Sequence, residues 1–180
     1  MPRFYTGTGD SGYSNMLGTW VSKASSIIDA IGYIDELNSF IGLAIANIDD
    51  DRIAGMLRDV QDNLFIIGAE LASCINKRFA PKAEFTGSKV KGLEDAIGDL
   101  AARLPDLKAF VLPGGSLSAA YLHIARAVAR RAERSVVKIG SKYKKNRYIL
   151  PYLNRLSSFL FVAALYMNKK EGVEEINPHY

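Results

Sequence analysis

Cys74 is the only cysteine among 180 residues. A disulfide framework or a cysteine-based zinc site within one chain is thereby excluded, and Cys74 reads as a small buried residue. Histidine is almost as scarce, with His123 and His179 alone. Neither has a glutamate three residues before it, so the Glu-x-x-His pairs of a di-iron bundle are missing. No Ser/His/Asp or Cys/His set stands out, which leaves a hydrolase triad little to build on. No run of about 18 apolar residues occurs, so no transmembrane helix is expected. The N-terminal MPRFYTGTGDSG has no apolar core, so no signal peptide is expected either. These absences together point to the cytoplasm. Charge is not extreme: 23 Lys and Arg against 19 Asp and Glu give +4, with a pI near 9.1. That balance admits nucleic acid, an acidic lipid surface or a polyphosphate as partner and selects none of them.

Helical periodicity is abundant. A length of 180 residues favours one domain with a sizeable core. Strand alternation of useful length and internal repeats are not evident. Residues 3 to 20 read as an irregular glycine-rich arm. From about Ser22 to Asn47, Ile27, Ile31, Ile34, Leu37, Ile41 and Ala44 recur at spacings of three and four. Asp49–Asp51 can cap a second helix, carrying Ile53, Leu57, Val60, Leu64, Ile67 and Leu71 to near Ile75. Ser88 offers a cap for a shorter helix that Pro105 ends. Ser116 caps a fourth, running to about Ile139, and Pro151 fits the first turn of a fifth, running to about Lys169. The expected architecture is all-α, a five-helix up-and-down bundle. Ile34, Phe40, Leu64, Phe65, Tyr121, Phe159 and Phe161 are candidate core positions, and the tail from Glu171 to Tyr180 is a candidate for disorder.

The fourth helix, through LHIARAVARRAERSVV, is the most informative. At roughly 100° per residue, Arg126, Arg130 and Arg134 fall one turn apart on one stripe, joined by His123 and Glu133. Guanidinium groups so close repel one another and call for an anion, unless the stripe is simply a solvated face. Thr6-Gly7-Thr8-Gly9-Asp10-Ser11-Gly12-Tyr13-Ser14 concentrates glycines and hydroxyls as an anion cradle does, although no Gly-Lys-Ser/Thr follows to make a Walker A loop. A flexible arm is the plainer reading of that stretch. Lys23 is either a phosphate partner or an ordinary surface lysine. Asp35 and Asn38 interrupt an apolar helix on one face, and a mid-helix carboxylate in a bundle is usually paired, here with an arginine of the stripe on another helix or another subunit. Asn154-Arg155 does the same in the last helix. The run Lys142 to Arg147 with its tyrosines could bind a nucleic-acid backbone or be a solvated link.

Taken in order, these segments resemble the PduO-type ATP:cob(I)alamin adenosyltransferases. The matching pieces are Tyr5 to Gly12, Lys23, Gly32 with Asp35-Glu36-Leu37-Asn38-Ser39, Phe110-Val111-Leu112-Pro113-Gly114-Gly115, His123 with Arg126 and Arg130-Arg131-Ala132-Glu133-Arg134, Tyr152 to Ser157, and Phe159-Leu160-Phe161. Three positions depart from the family pattern, among them Trp20, which stands where a basic residue is common. Ser14 stands where threonine is usual, and Ser158 where aspartate is usual.

The resemblance implies a single cobalamin adenosyltransferase domain over residues 1–180. Within it, 1–20 form an ATP-binding arm, 21–170 a ferritin-like bundle and 171–180 a tail. It implies a homotrimer with active sites between subunits. It also implies transfer of the 5′-deoxyadenosyl group of ATP to the cobalt of cob(I)alamin, releasing triphosphate. Thr6, Gly7, Thr8, Gly9, Ser14, Asn15 and Lys23 would wrap the nucleotide, and Arg130, Arg131, Glu133, Arg134 and Asn154 would complete its site. A magnesium ion would be held mainly by phosphate oxygens. Asp35 and Arg126 would pair across the subunit boundary beside the corrinoid, and Phe110 would close the corrinoid's lower face. Asp35, Arg126, Arg130 and Glu133 would carry the catalytic role. A reductase supplying Co(I) is an implied partner; nucleic acid and membrane are not. The rival from another class is a basic helical module that binds nucleic acid.

Overall fold

The computed structural model describes residues 4–5, 7–76, 78–140 and 146–179. A two-stranded hairpin, β1 (Tyr13–Met16) and β2 (Thr19–Ser22), precedes five helices: α1 (Ser26–Ile45), α2 (Asp51–Ser73), α3 (Gly87–Ala101), α4 (Leu117–Ile139) and α5 (Ile149–Lys170). Helix α4 packs against both α1 and α5, α2 lies on the far side of α1, and α3 on α5. The arginine helix is therefore the middle of the bundle.

The expected caps hold where they were legible. Asp50 accepts the Ile53 amide at 3.0 Å, and Ser116 accepts that of Ala119 at 3.3 Å. Thr86 rather than Ser88 precedes α3, its hydroxyl 2.7 Å from that of Ser88. Gly140, with φ +58°, stops α4. The core is a continuous aliphatic cluster through Leu37, Leu57, Leu64, Leu122, Leu153 and Phe159, each fully shielded from solvent. Burial of each such side chain contributes roughly 1.5–3 kcal/mol, so the bundle face of every helix is strongly specified. Helix α5 is long and apolar enough to cross a membrane, with a mean hydropathy of 1.3, contrary to the sequence expectation. Its apolar residues instead pack into the core, Leu153, Leu156, Phe159, Leu160 and Ala163 among them.

Three expectations are corrected. Part of the arm is a hairpin, not an irregular loop: Tyr13 pairs with Ser22 and Met16 with Thr19 in antiparallel register. Leu17 and Gly18 make its turn with φ of +53° and +81°, the left-handed pair that matches the twist of two strands. Phe65, read as core, is 71% exposed on α2, whereas Ile34, Leu64 and Phe159 are buried and Phe40, Tyr121 and Phe161 are half-buried. The tail through His179 is ordered against the bundle. The Leu112 amide donates to the Ile176 carbonyl at 2.8 Å, and the Asn177 amide to the Phe110 carbonyl at 2.7 Å. Lys142 to Lys145, the heart of the basic run, lie outside the described residues, as does Thr6.

Candidate functional site

The stripe on α4 tilts through the surface. His123 is 4% exposed, Arg126 is half-buried, and Arg130 and Arg134 are exposed. Among the described residues neither Arg130 nor Arg134 has a hydrogen bond or an ion pair. Burial and then the neighbouring Arg130 guanidinium lower the pKa of Arg126. Among the described residues its Nε is buried without a partner, and so are both ring nitrogens of His123. Burial, and then Arg126, pull His123 down to about 4, so its ring is neutral near pH 7. A buried polar atom without a partner costs about 1–3 kcal/mol, and here three such atoms share one end of one helix.

The other members of the stripe are engaged. Arg131 donates to Glu36 on α1 at 2.5 Å and lies over the Tyr33 ring, 5.3 Å from its centroid. Glu133 accepts from Asn154 on α5 at 3.1 Å; Asn154 accepts from Arg155, which donates to Glu94 on α3 at 3.2 Å. The structure thus brings together Glu133 and Asn154, two residues the sequence placed at one site. It does not bring Asp35 to an arginine within the protomer: Asp35 is exposed, and its neighbour Glu36 takes Arg131 instead.

Two clefts open beside the loop that joins α3 to α4. One, about 750 Å³, is walled by Phe110, Pro113, His123, Arg126, Phe161 and Pro178. Phe110 is 80% exposed at its edge, and the His123 and Phe161 rings lie 6.0 Å apart. The second, about 740 Å³, lies between the same loop and the tail, against Arg103, Leu107, Leu165 and Val173. Both walls hang on Asn168, which the sequence reading passed over. It is 1% exposed. It accepts the Ser116 amide at 2.8 Å and donates to the Gly114 carbonyl at 3.1 Å and to Glu175 at 3.0 Å. Gly115, with φ +102°, passes so close that an added Cβ would lie 2.2 Å from the Asn168 carbonyl oxygen. An asparagine directly after the apolar run Leu165–Met167, and the glycine pair before Ser116, were the available signals.

The arm forms a compact turn. Gly7 and Gly12 have φ of +70° and +82°, the Gly12 carbonyl accepts the Lys23 amide at 2.9 Å, and the Lys23 ammonium would sit 3.0 Å from a Cβ at Gly9. Thr8 is exposed and Ser14 half-buried. Asn15 accepts the Gly18 amide at 3.1 Å, so it shapes the hairpin turn, and Asn76 at the end of α2 donates to the Leu17 carbonyl at 2.7 Å. No cluster of three or more His, Cys, Asp or Glu able to hold a metal occurs among the described residues.

The site thus combines, on a helical bundle, guanidinium groups unpaired among the described residues, a glycine-rich turn beneath a lysine, and a cleft edged by aromatic rings, an arrangement suited to a polyanion. A family model described as cobalamin adenosyltransferase matches residues 4–167. The corrinoid adenosyltransferase of Bacillus subtilis is 39% identical over 97% of this chain and 91% of its own. The mouse corrinoid adenosyltransferase MMAB is 37% identical over 97% of this chain and 76% of its own. Among solved structures, a point variant of the PduO-type ATP:corrinoid adenosyltransferase of Lactobacillus reuteri, complexed with cobalamin and ATP, superposes with a TM-score of 0.90. It is 32% identical, covering 99% of this chain and 100% of that one. This chain belongs to the cobalamin adenosyltransferase family.

Proposed function

We propose that this protein transfers the 5′-deoxyadenosyl group of ATP to the cobalt of cob(I)alamin, giving adenosylcobalamin and triphosphate. The observation that carries the site assignment is the pair Arg130 and Arg134: exposed, one turn apart and, among the described residues, without an ion-pair partner. Reduced cobalt is itself the nucleophile and attacks the ribose C5′. The protein's task is then to align ATP and to neutralise the charge that grows on the departing triphosphate. Arg130 and Arg134 meet the phosphates. Gly7, Thr8, Gly9, Ser14 and Lys23 of the arm, with Thr6 beside them, close over the nucleotide. Glu133 and Asn154 fix its sugar and base side, and Asn15 acts by shaping the hairpin. Arg131, held by Glu36, keeps the stripe in register and adds positive potential. With no acidic cage for it, a magnesium ion would ride on the phosphate oxygens with Glu133 as the nearest carboxylate of the stripe, neutralising phosphate charge.

The corrinoid fits the cleft beside Phe110, whose exposed ring closes the lower face of the macrocycle, with Arg126 in the wall. Asp35, exposed on α1, and Arg126, with its buried Nε unpaired, complete each other if they meet across a subunit boundary. Exposed Phe65, Ile124 and Val137 add apolar surface to such contacts. These features support contact between subunits; that the assembly is a homotrimer with sites between subunits, working in the cytoplasm with a reductase that supplies Co(I), is part of the proposal. Membership of the cobalamin adenosyltransferase family favours this reading over a basic module that binds nucleic acid.

The test is a spectral assay with ATP, magnesium and chemically reduced cobalamin, alongside size-exclusion chromatography with light scattering. Appearance of the adenosylcobalamin spectrum and a threefold mass are expected. A stable trimer that leaves Co(I) unalkylated refutes the activity, and an active monomer refutes the shared site.

A further inference from the structure

We propose that His123 is a corrinoid-binding residue, its neutral imidazole hydrogen-bonding a primary amide side chain on the rim of the corrin ring. This rests on the adenosyltransferase reading above and adds to it a residue with no assigned role. Three observations lead to it. The imidazole forms part of the wall of the 750 Å³ cleft, together with Phe110, Arg126 and Phe161. It is 96% shielded, and neither Nδ1 nor Nε2 has a partner among the described residues. Asn38 Oδ1 is also buried without a partner among the described residues, but Asn38 lines neither cleft; Asn168, buried as deeply as His123, satisfies its carbonyl and its amino group in full. A group that is unsatisfied in the free chain and lines a cleft is a group reserved for what enters the cleft.

The chemistry of the site narrows what that is. Arg126 is next to His123 on the stripe, and a second positive charge beside it would be repelled, which agrees with the low pKa of His123. A neutral imidazole offers one donor and one acceptor. It therefore suits a ligand group that also offers both, as a carboxamide does, and suits a phosphate poorly. Cobalamin carries such amides around its macrocycle, whereas the triphosphate of ATP carries none. The division along α4 follows: Arg130 and Arg134 for the phosphates, His123 for the corrinoid. Both ring nitrogens are shielded in the free chain, so to reach the ligand the imidazole must turn toward the cleft that its ring lines.

The experiment compares wild type, His123→Leu and His123→Asn as full chains in the adenosyl-transfer assay, with KM for reduced cobalamin and for ATP measured separately and the oligomeric state recorded. His123→Leu is expected to raise the corrinoid KM about tenfold, the loss of one hydrogen bond, while the ATP KM stays within about twofold. His123→Asn, which keeps a donor and an acceptor, is expected to recover most of that loss. An unchanged corrinoid KM, an equal rise in both KM values, or no rescue by asparagine overturns the proposal. So does dissociation of the oligomer, since the partner of His123 would then be a neighbouring subunit. If His123→Leu does not fold, His123→Phe takes its place, and failure of both to fold overturns the proposal in favour of a structural histidine. Wild type that forms no adenosylcobalamin refutes the function itself; an active wild type with unmoved variants refutes only this inference.

Discussion

Asn168 on α5 and His123 on α4 sit on packed neighbouring helices and are almost equally buried, at 1% and 4% exposure, yet their polar atoms fare in opposite ways. Asn168 ties the loop before α4, the start of α4 and the tail into one node with every polar atom used. Asn146 does the same elsewhere, joining Glu70, the Phe85 carbonyl and the Tyr148 amide. His123 and Arg126 leave three polar atoms buried and unanswered. Nodes of the first kind hold the walls of the clefts, and groups of the second kind face into one of them. For this pair the difference separates architecture from function: the Asn168 network rigidifies, and the groups that line the cleft are open to a ligand or a subunit.

Arg130→Ala tests the functional side most severely. The residue is exposed and unpaired, so its removal leaves the melting temperature within about 2 °C of wild type. Adenosyl transfer to reduced cobalamin falls about 10²–10³-fold, the usual loss when one charge-stabilising donor is removed. A variant that keeps more than a tenth of the wild-type rate shows that the leaving phosphate is neutralised elsewhere. Asn168→Ala tests the architectural side. Three hydrogen bonds vanish and their buried partners are orphaned, a cost of about 2–4 kcal/mol in urea unfolding. Gly115→Ala strikes the same node from the loop, through its φ of +102° and the clash with the Asn168 amide. Double-mutant coupling between these two sites is expected; additivity would separate them.

The comparison can be sharpened by pH. His123 titrates near 4 in the folded chain and near its ordinary 6.5 when unfolded. Between those values the unfolded state binds the proton first, so stability falls as pH drops from 6.5 toward 4 and levels off below 4. With water reaching the cleft, the contribution is roughly 1–2 kcal/mol. His123→Phe flattens the slope of unfolding free energy in that window relative to wild type. Equal slopes would mean that the imidazole is already hydrated in the folded state.

Most of the bundle was legible because its signals are periodic and dense. Leu57, Leu64, Leu122 and Phe159 lie in the core that their spacing announces, and Asp50 and Ser116 cap the helices they precede. The hairpin was hidden for a physical reason. Its strands are four residues long, and its turn places leucine where Asn, Asp or Gly would have advertised positive φ. Phe65 misled because an aromatic at helical spacing looks the same whether it faces a core or another surface. The site was half legible. The Arg126–Arg130–Arg134 stripe follows from 3.6-residue geometry, and the resemblance assigns Glu133 and Asn154 to one site, although their hydrogen bond is seen only in the fold. Asn168, Glu36 and the tail over Phe110 depend on contacts between distant segments, and those only the fold reveals.

Arg131 lies between the two kinds of group and carries the smallest expected effect. It adjoins the stripe on α4 and is placed in the ATP site by the resemblance, yet Glu36 and Tyr33 already occupy it. Both partners of the ion pair are about 40% exposed. Water screens the charge interaction, and the pair with its cation–π contact is worth at most about 1 kcal/mol. Arg131→Ala is therefore expected to lower the melting temperature by only a few degrees. What it does to catalysis decides which kind of residue Arg131 is. A brace loses little when Arg131→Ala is combined with Glu36→Ala, because the second change removes a partner already idle. A residue that leaves Glu36 to grip the triphosphate behaves otherwise: Glu36→Ala alone lowers the KM for ATP by freeing the guanidinium, and Arg131→Ala raises it several-fold. The brace predicts an ATP KM within about twofold of wild type in all three variants. A rise confined to the two variants lacking Arg131 would move it to the side of Arg130 and leave Glu36 as the group that holds it until ATP arrives.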